Sequence, residues 1–292
     1  MLTDITVTSA EPLIIDSAAS QTSFGTITLQ AGGYIQISVS CTFTCAALNK
    51  VFPPSTPASD APLYDIIIMG PDQAAQPDGP DGTNGADGGN GRNLTCSACS
   101  VHHHCSNGGD GGKGTTPDQA LNGLGGNDGP AVNLNLGTVS GSVTVLNTGG
   151  TGGAGGRGGK GGNGGRGGNG GNGKQCCVGS TYGGCTGGNG GNGGNGGNPG
   201  GGGNGGNSGK AVITCLLADS TSGVIPTNSG GPGGPIGAVG KGGARGEAGG
   251  GGNHGGQPGN PGSPGADGSN ANVSVGGTGN KNLDCSINGL PF

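Results

Sequence analysis

The chain has 292 residues, and 80 of them are Gly, nearly four times the ordinary share of roughly 7%. With 28% hydrophobic and 9% charged residues, four Phe, three Tyr and no Trp, it lacks the side chains for one large conventional core, and most enzyme folds tolerate less interior Gly. A net charge of −5 disfavours a general nucleic-acid or anionic-membrane surface.

Residues 3–69 read as β-structure. Asp4-Ile5-Thr6-Val7-Thr8, Thr26-Ile27-Thr28-Leu29 and Tyr34-Ile35-Gln36-Ile37-Ser38-Val39 alternate with period two and are rich in β-branched residues. Gly32-Gly33 fits a hairpin turn. Apolar runs are short, as in Asp65-Ile66-Ile67-Ile68-Met69, which predicts no membrane insertion. No signal peptide is visible in Met1-Leu2-Thr3-Asp4-Ile5-Thr6-Val7, which has neither a basic nor an apolar region.

From Gly70 onward the period becomes three. Gly79, Gly82, Gly85, Gly88 and Gly91 form one column, as do Gly108, Gly111 and Gly114. Residues 149–173 are a near-perfect Gly-Gly-X array, with X being Thr151, Ala154, Arg157, Lys160, Asn163, Arg166, Asn169 and Asn172. Residues 187–209 repeat it with Asn189, Asn192, Asn195, Asn198, Asn204 and Asn207. A further Gly column runs from Gly231 to Gly255 and, after a one-residue slip, from Gly256 to Gly268. Period three is that of the left-handed polyproline-II helix, where a Gly column lets a neighbouring backbone approach and exchange hydrogen bonds. Two Gly columns place 149–173 and 187–209 inside, with 79–91 and 231–268 at the edges.

Cys-rich loops at 93–106 and 174–186, and a turn near Asn253-His254, interrupt these runs at one end. β-like segments at 132–146, 211–217 and 272–275 interrupt them at the other. The predicted fold is mostly irregular by standard assignment: a bundle of about six left-handed polyproline-II (polyglycine-II) helices with a small N-terminal β domain. The predicted division is a β-rich base over 1–69 and a glycine-rich bundle over 70–292, with interleaved β segments and Cys-rich tip loops.

Ten Cys in so apolar-poor a chain predict disulfides and an oxidising location, extracellular or on a virion surface. Cys41, Cys45, Cys215 and Cys285 fall in base segments, and Cys96, Cys99, Cys105, Cys176, Cys177 and Cys185 in tip loops. Both sets are even, so all ten are expected to pair. Cys41 and Cys45 lie ~13 Å apart on a strand, beyond disulfide reach, so Cys215 and Cys285 are their expected partners. Adjacent Cys176 and Cys177 are expected to have different partners. Cys96-x2-Cys99 beside His102-His103-His104-Cys105 also fits zinc chemistry, but its spacing matches no common finger, so no metal and no cofactor is expected. Lys113-Gly114 and Lys160-Gly161 break the phosphate-loop pattern. No nucleophile–base pair or carboxylate pair stands out, so the chain is not read as an enzyme.

The arrays Gly149–Gly173 and Gly187–Gly209 resemble two groups that build glycine-rich polyproline-II bundles. One is the tail-fibre tip adhesins of T-even-type phages, where loops between helices contact a bacterial receptor. The other is the springtail antifreeze proteins, where a flat helix layer binds ice and disulfides brace the bundle. The likeness covers about 70–268. The Cys-rich loops depart from the adhesins, and the hydrated Asn, Arg and Lys of the outward column depart from an ice face.

The leading expectation is a non-enzymatic extracellular or virion surface protein, adhesin-like, presenting disulfide-braced loops to a protein or glycan. Leu94, Val101, His102, His103, His104, Val178, Tyr182 and His254 are the candidate contact residues. The β base is expected to self-associate or attach to a fibre, with no nucleic acid as partner. The alternatives are a filament subunit and, further off, an ice-binding protein.

Overall fold

The computed structural model describes residues 2–51, 64–282 and 284–292. Most strands form where apolar residues alternate with polar ones, but the expected β-like segment Asn272-Val273-Ser274-Val275 forms none. Their order is β1 (Ile5–Val7), β2 (Leu13–Ile15), β3 (Ser23–Leu29), β4 (Ile35–Ile37), β5 (Cys41–Lys50) and β6 (Ile66–Met69). Then follow β7 (Thr95–Ser97), β8 (Ser100–His103), β9 (Val132–Ser140), β10 (Ser142–Thr148), β11 (Lys174–Cys177) and β12 (Ser180–Tyr182). The last are β13 (Ala211–Leu217), β14 (Gly223–Ser229), β15 (Ser286–Ile287) and β16 (Leu290–Pro291).

One sheet runs β1-β3-β5-β9-β13-β15-β16 and a second β14-β10-β6-β4-β2. The chain alternates between them, so each turn of a coil adds one strand to each sheet. Within both sheets every pairing is parallel except β15 with β16. In β9, Val132, Leu134 and Leu136 are buried while Asn133 and Asn135 are exposed, which is the period-two pattern of a strand with one face on a core. Ile27, Phe43, Leu48, Leu134 and Ile213 of the first sheet join Ile35, Ile37, Ile66, Ile68 and Val145 of the second in one apolar cluster. Beside it, Lys50 Nζ meets Asp65 Oδ2 at 2.7 Å and Ser142 O at 3.0 Å, and Asp65 Oδ2 accepts the Thr144 N–H at 2.8 Å.

From β6 onward each turn of the coil is stretched. The chain leaves the second sheet along 70–93, 149–173 or 230–253, turns at a distant loop, and returns to the first sheet along 106–131, 185–209 or 256–282. These six runs carry no helix and no strand; lateral hydrogen bonds at every third residue hold them. Outgoing runs bond side by side (Gly79 N–H to Arg157 O, 2.7 Å; Gly158 N–H to Ala238 O, 2.9 Å), and so do returning runs (Gly111 N–H to Asn189 O, 2.8 Å). The two layers bond to each other as well (Gly165 N–H to Gly112 O, Gly191 N–H to Gly165 O and Gly246 N–H to Gly191 O, each 2.8 Å). Runs 149–173 and 185–209 each bond to four others, and 70–93 and 256–282 to two.

That difference explains the composition. A run with four neighbours needs two bare columns: a Cβ on Gly158 would sit 2.6 Å from the Gly197 carbonyl carbon, and one on Gly159 2.6 Å from that of Pro80. The outermost runs need only one column, and they carry Pro71, Pro77 and Pro80 on one flank and Pro258, Pro261 and Pro264 on the other, all exposed. Proline has no N–H, so these positions offer no donor to another chain at the open edge.

The third residue of each triplet faces outward, and its own N–H finds no carbonyl. Side-chain oxygens of the next run accept it instead. Asp81 Oδ1 takes the Lys160 N–H (2.7 Å), Asn84 Oδ1 that of Asn163 (2.8 Å), and Asn163 Oδ1 that of Ala244 (2.9 Å). On the returning layer Asn192 Oδ1 takes the Ser263 N–H and Asn198 Oδ1 that of Ser269, both at 2.8 Å. The Asn column is thus a set of backbone acceptors, not merely a solvated face.

The expected helix bundle with a small N-terminal β domain is therefore corrected. Among the described residues there is no helix, and the strands assemble into two multi-stranded parallel or mixed sheets and two short hairpins. The physical reason lies in β9, β10, β13 and β14. Residues 132–146 and 211–217, expected as interruptions of the glycine runs, and 223–229, where no strand is expected, instead pair β9 with β5, β10 with β6, β13 with β9 and β14 with β10, and so extend the same sheets.

Candidate functional site

The loops far from the sheets form the candidate site. β7 and β8 make an antiparallel hairpin, with Thr95 opposite His103 and Ser97 opposite Ser100; its turn holds Ala98 and Cys99 at φ 46° and 68°. β11 and β12 repeat the motif, with Lys174 opposite Tyr182, and turn at Gly179 with φ 85°. Disulfides Cys96–Cys176, Cys99–Cys177 and Cys105–Cys185 join the two hairpins. Adjacent Cys176 and Cys177 do take different partners. The first of these bonds to form closes about 80 residues of chain, a loop size for which a disulfide contributes roughly 4 kcal/mol in the chain-entropy picture, and the other two then close only short loops and add less. Three disulfides imply an oxidising environment.

The third outgoing run ends differently. It reverses at Asn253-His254-Gly255, with His254 at φ 58° and Gly255 at φ 92°, and has no hairpin and no Cys. His254 O accepts the Gly184 N–H at 3.2 Å, which holds this turn beside the second hairpin.

The candidate contact residues divide. His102, His103, His104, Tyr182 and His254 are exposed, Val101 is half-buried, and Val178 projects fully into solvent. His102 Nε2 lies 2.6 Å from Ser97 Oγ, and the His104 and Tyr182 rings meet edge to face at 6.3 Å across the two hairpins. Leu94 is a correction. It is 5% exposed and its N–H bonds to Asn172 O at 2.9 Å, so it anchors the first hairpin and presents no surface. The Cys-x2-Cys thiols are joined in disulfides and supply no thiolates for zinc.

The base cysteines correct a second expectation. Cys41, Cys45, Cys215 and Cys285 are free thiols. β9 runs between β5 and β13, so Cys45 and Cys215 stand two strand spacings apart, about 9.6 Å, beyond disulfide reach. Cys45 Sγ instead donates to Leu136 O at 3.5 Å, and burial pushes its thiol up to about 11. Cys285 Sγ bonds to Gly209 O at 3.5 Å and accepts from Asn147 Nδ2 at 3.3 Å, where the sheets pass into the glycine runs. Burial raises the Cys41 and Cys215 thiols too, partly offset at Cys215 by Asn288.

Sequence reasoning missed the second role of the Asn column, which was signalled by Asn or Asp recurring in the X column of adjoining runs.

No family model and no curated protein matches the chain. A solved structure described as the nine polyproline type II helical bundle springtail antifreeze protein from Granisotoma rainieri aligns at 25% identity over 65% of this chain and 96% of that one. Its TM-score is 0.09, so the alignment carries no argument about fold or function.

Proposed function

We propose that the protein is a non-enzymatic surface protein, extracellular or on a virion, whose glycine-run shaft presents the two disulfide-braced hairpins to a partner. The supporting observation is the inequality of the three far ends. The third pair of runs closes in a turn at 253–255, so the layers need no hairpin to reverse the chain, yet the first two ends carry braced hairpins with exposed Val178 and Tyr182. Replacing 95–104 and 175–183 each by a short Gly turn is the test. The shortened protein is expected to fold and assemble as before and to lose binding to its target surface. Retained binding would sink the reading.

The filament reading has one observation in its favour: among the described residues β1, β2, β14 and β16 are outer strands of their sheets, and outer strands can pair with other chains. The proline-bearing flanks of the shaft weigh against side-by-side packing of the glycine runs. Fibres in electron micrographs of the purified protein would favour the filament, and discrete particles the presenter.

A further inference from the structure

We propose that the tip docks an acidic polysaccharide, held by a basic, imidazole-rich surface. The inference rests on the presenter reading above and names its partner class.

All four histidines of the chain are at this end: His102, His103 and His104 on the first hairpin and His254 on the third turn. The fixed cations Arg92 and Lys174 flank them, both exposed. No Asp or Glu occurs in 88–109, 173–186 or 250–256, although the chain has 16 acids and a net charge of −5. The nearest acids on the packed runs are Asp87, Glu247 and Asp110. Asp87 and Asp110 each accept a neighbouring backbone N–H at 2.7 Å, from Arg166 and Asn189, so both are engaged with the adjoining run of the shaft. The tip is a cationic cap on an acidic protein, and such a cap steers and holds an anionic partner.

The neutral groups decide between kinds of anion. Gln175, Ser180 and Thr181 are exposed on the second hairpin beyond Lys174, and the Tyr182 ring stands against His104. Hydroxyls, an amide and flat rings suit a hydroxyl-bearing polymer. Val178 is the one large aliphatic side chain fully in solvent there, too little apolar surface for insertion into a bilayer or for the anchored centre of a protein interface.

The test immobilises polygalacturonate, neutral dextran, poly-L-glutamate and phosphatidylserine vesicles and measures binding of the disulfide-intact full chain. Polygalacturonate is expected to bind best, and more weakly as salt rises. Arg92→Glu with Lys174→Glu is expected to weaken binding at least tenfold. Equal or tighter binding to dextran, polyglutamate or vesicles, no binding to polygalacturonate, or binding indifferent to Arg92→Glu with Lys174→Glu would overturn the inference. If such binding disappears when the hairpins are replaced, the presenter reading survives with another partner. Binding of any probe that is indifferent to hairpin replacement counts against the presenter reading itself.

Discussion

The base and the shaft share one plan and fill it differently. Both are two layers of chain running side by side, and each run of the shaft continues a strand of the base. In the base the layers meet through Phe43, Leu134, Ile66 and their neighbours, so water is excluded by side chains on alternate residues. In the shaft almost no side chain lies between the layers, the small buried Ala120 against Gly79 and Gly156 being an exception, and the backbone itself is the core. A side-chain core tolerates exchange of one hydrophobe for another of similar size, because stability follows volume. A backbone core has no such slack. Its stability depends on the absence of atoms at two positions in three and on a partner for every N–H.

Substitutions sharpen the contrast. Phe43→Ala, which empties a fully buried site in the base, is expected to lower stability by about 3–5 kcal/mol in denaturant titration. Gly191→Ala adds one methyl group to the shaft 2.6 Å from the Gly112 carbonyl carbon and is expected to destabilise by about 3 kcal/mol. Ile66→Val, a change of one methylene in the base core, is expected to cost only about 1 kcal/mol. If Gly191→Ala proves milder than Ile66→Val, the backbone-core account fails. Asn192→Ala removes the acceptor of the Ser263 N–H on an exposed face and is expected to cost about 1 kcal/mol, whereas a solvated, non-bonding Asn would cost nothing measurable.

Alkaline pH separates the regions more gently. Cys45 has its folded pKa raised to about 11 from 9.0 by burial, so the neutral thiol favours the folded state. Its contribution is fully present below pH 9 and is lost as pH rises through about 11. Stability should therefore decline over that window, and Cys45→Ala should flatten the decline. An unchanged slope in the variant would remove Cys45 from the explanation.

Much of this was legible in residues. Period two in Ile35-Gln36-Ile37 points to a strand, and the doubling of Gly columns in 149–173 marks a run that bonds to four neighbours. What period three alone does not carry is the long-range pairing. Val132 to Leu136 and Ala211 to Cys215 look like isolated strands until Cys41, Val132 and Ala211 are seen in one register row, a repeat of about 80–90 residues hidden by the glycine between. At the tip, even numbers of Cys pointed to pairing, and three bonds formed. The same parity argument misled for the base, because parity says nothing of the strand β9 that separates Cys45 from Cys215. Leu94 was read as surface because it lies in a loop sequence, and its burial depends on a bond to Asn172, distant in the chain.

Amide hydrogen exchange tests the central claim most directly. The account predicts that the N–H groups of Gly158, Gly165 and Gly191, each bonded to a neighbouring run, exchange as slowly as those of Leu134 and Ile213 in the base. Exchange of those glycines at the rate of an unstructured chain, with the base still protected, would show the shaft to be a flexible linker and contradict the account.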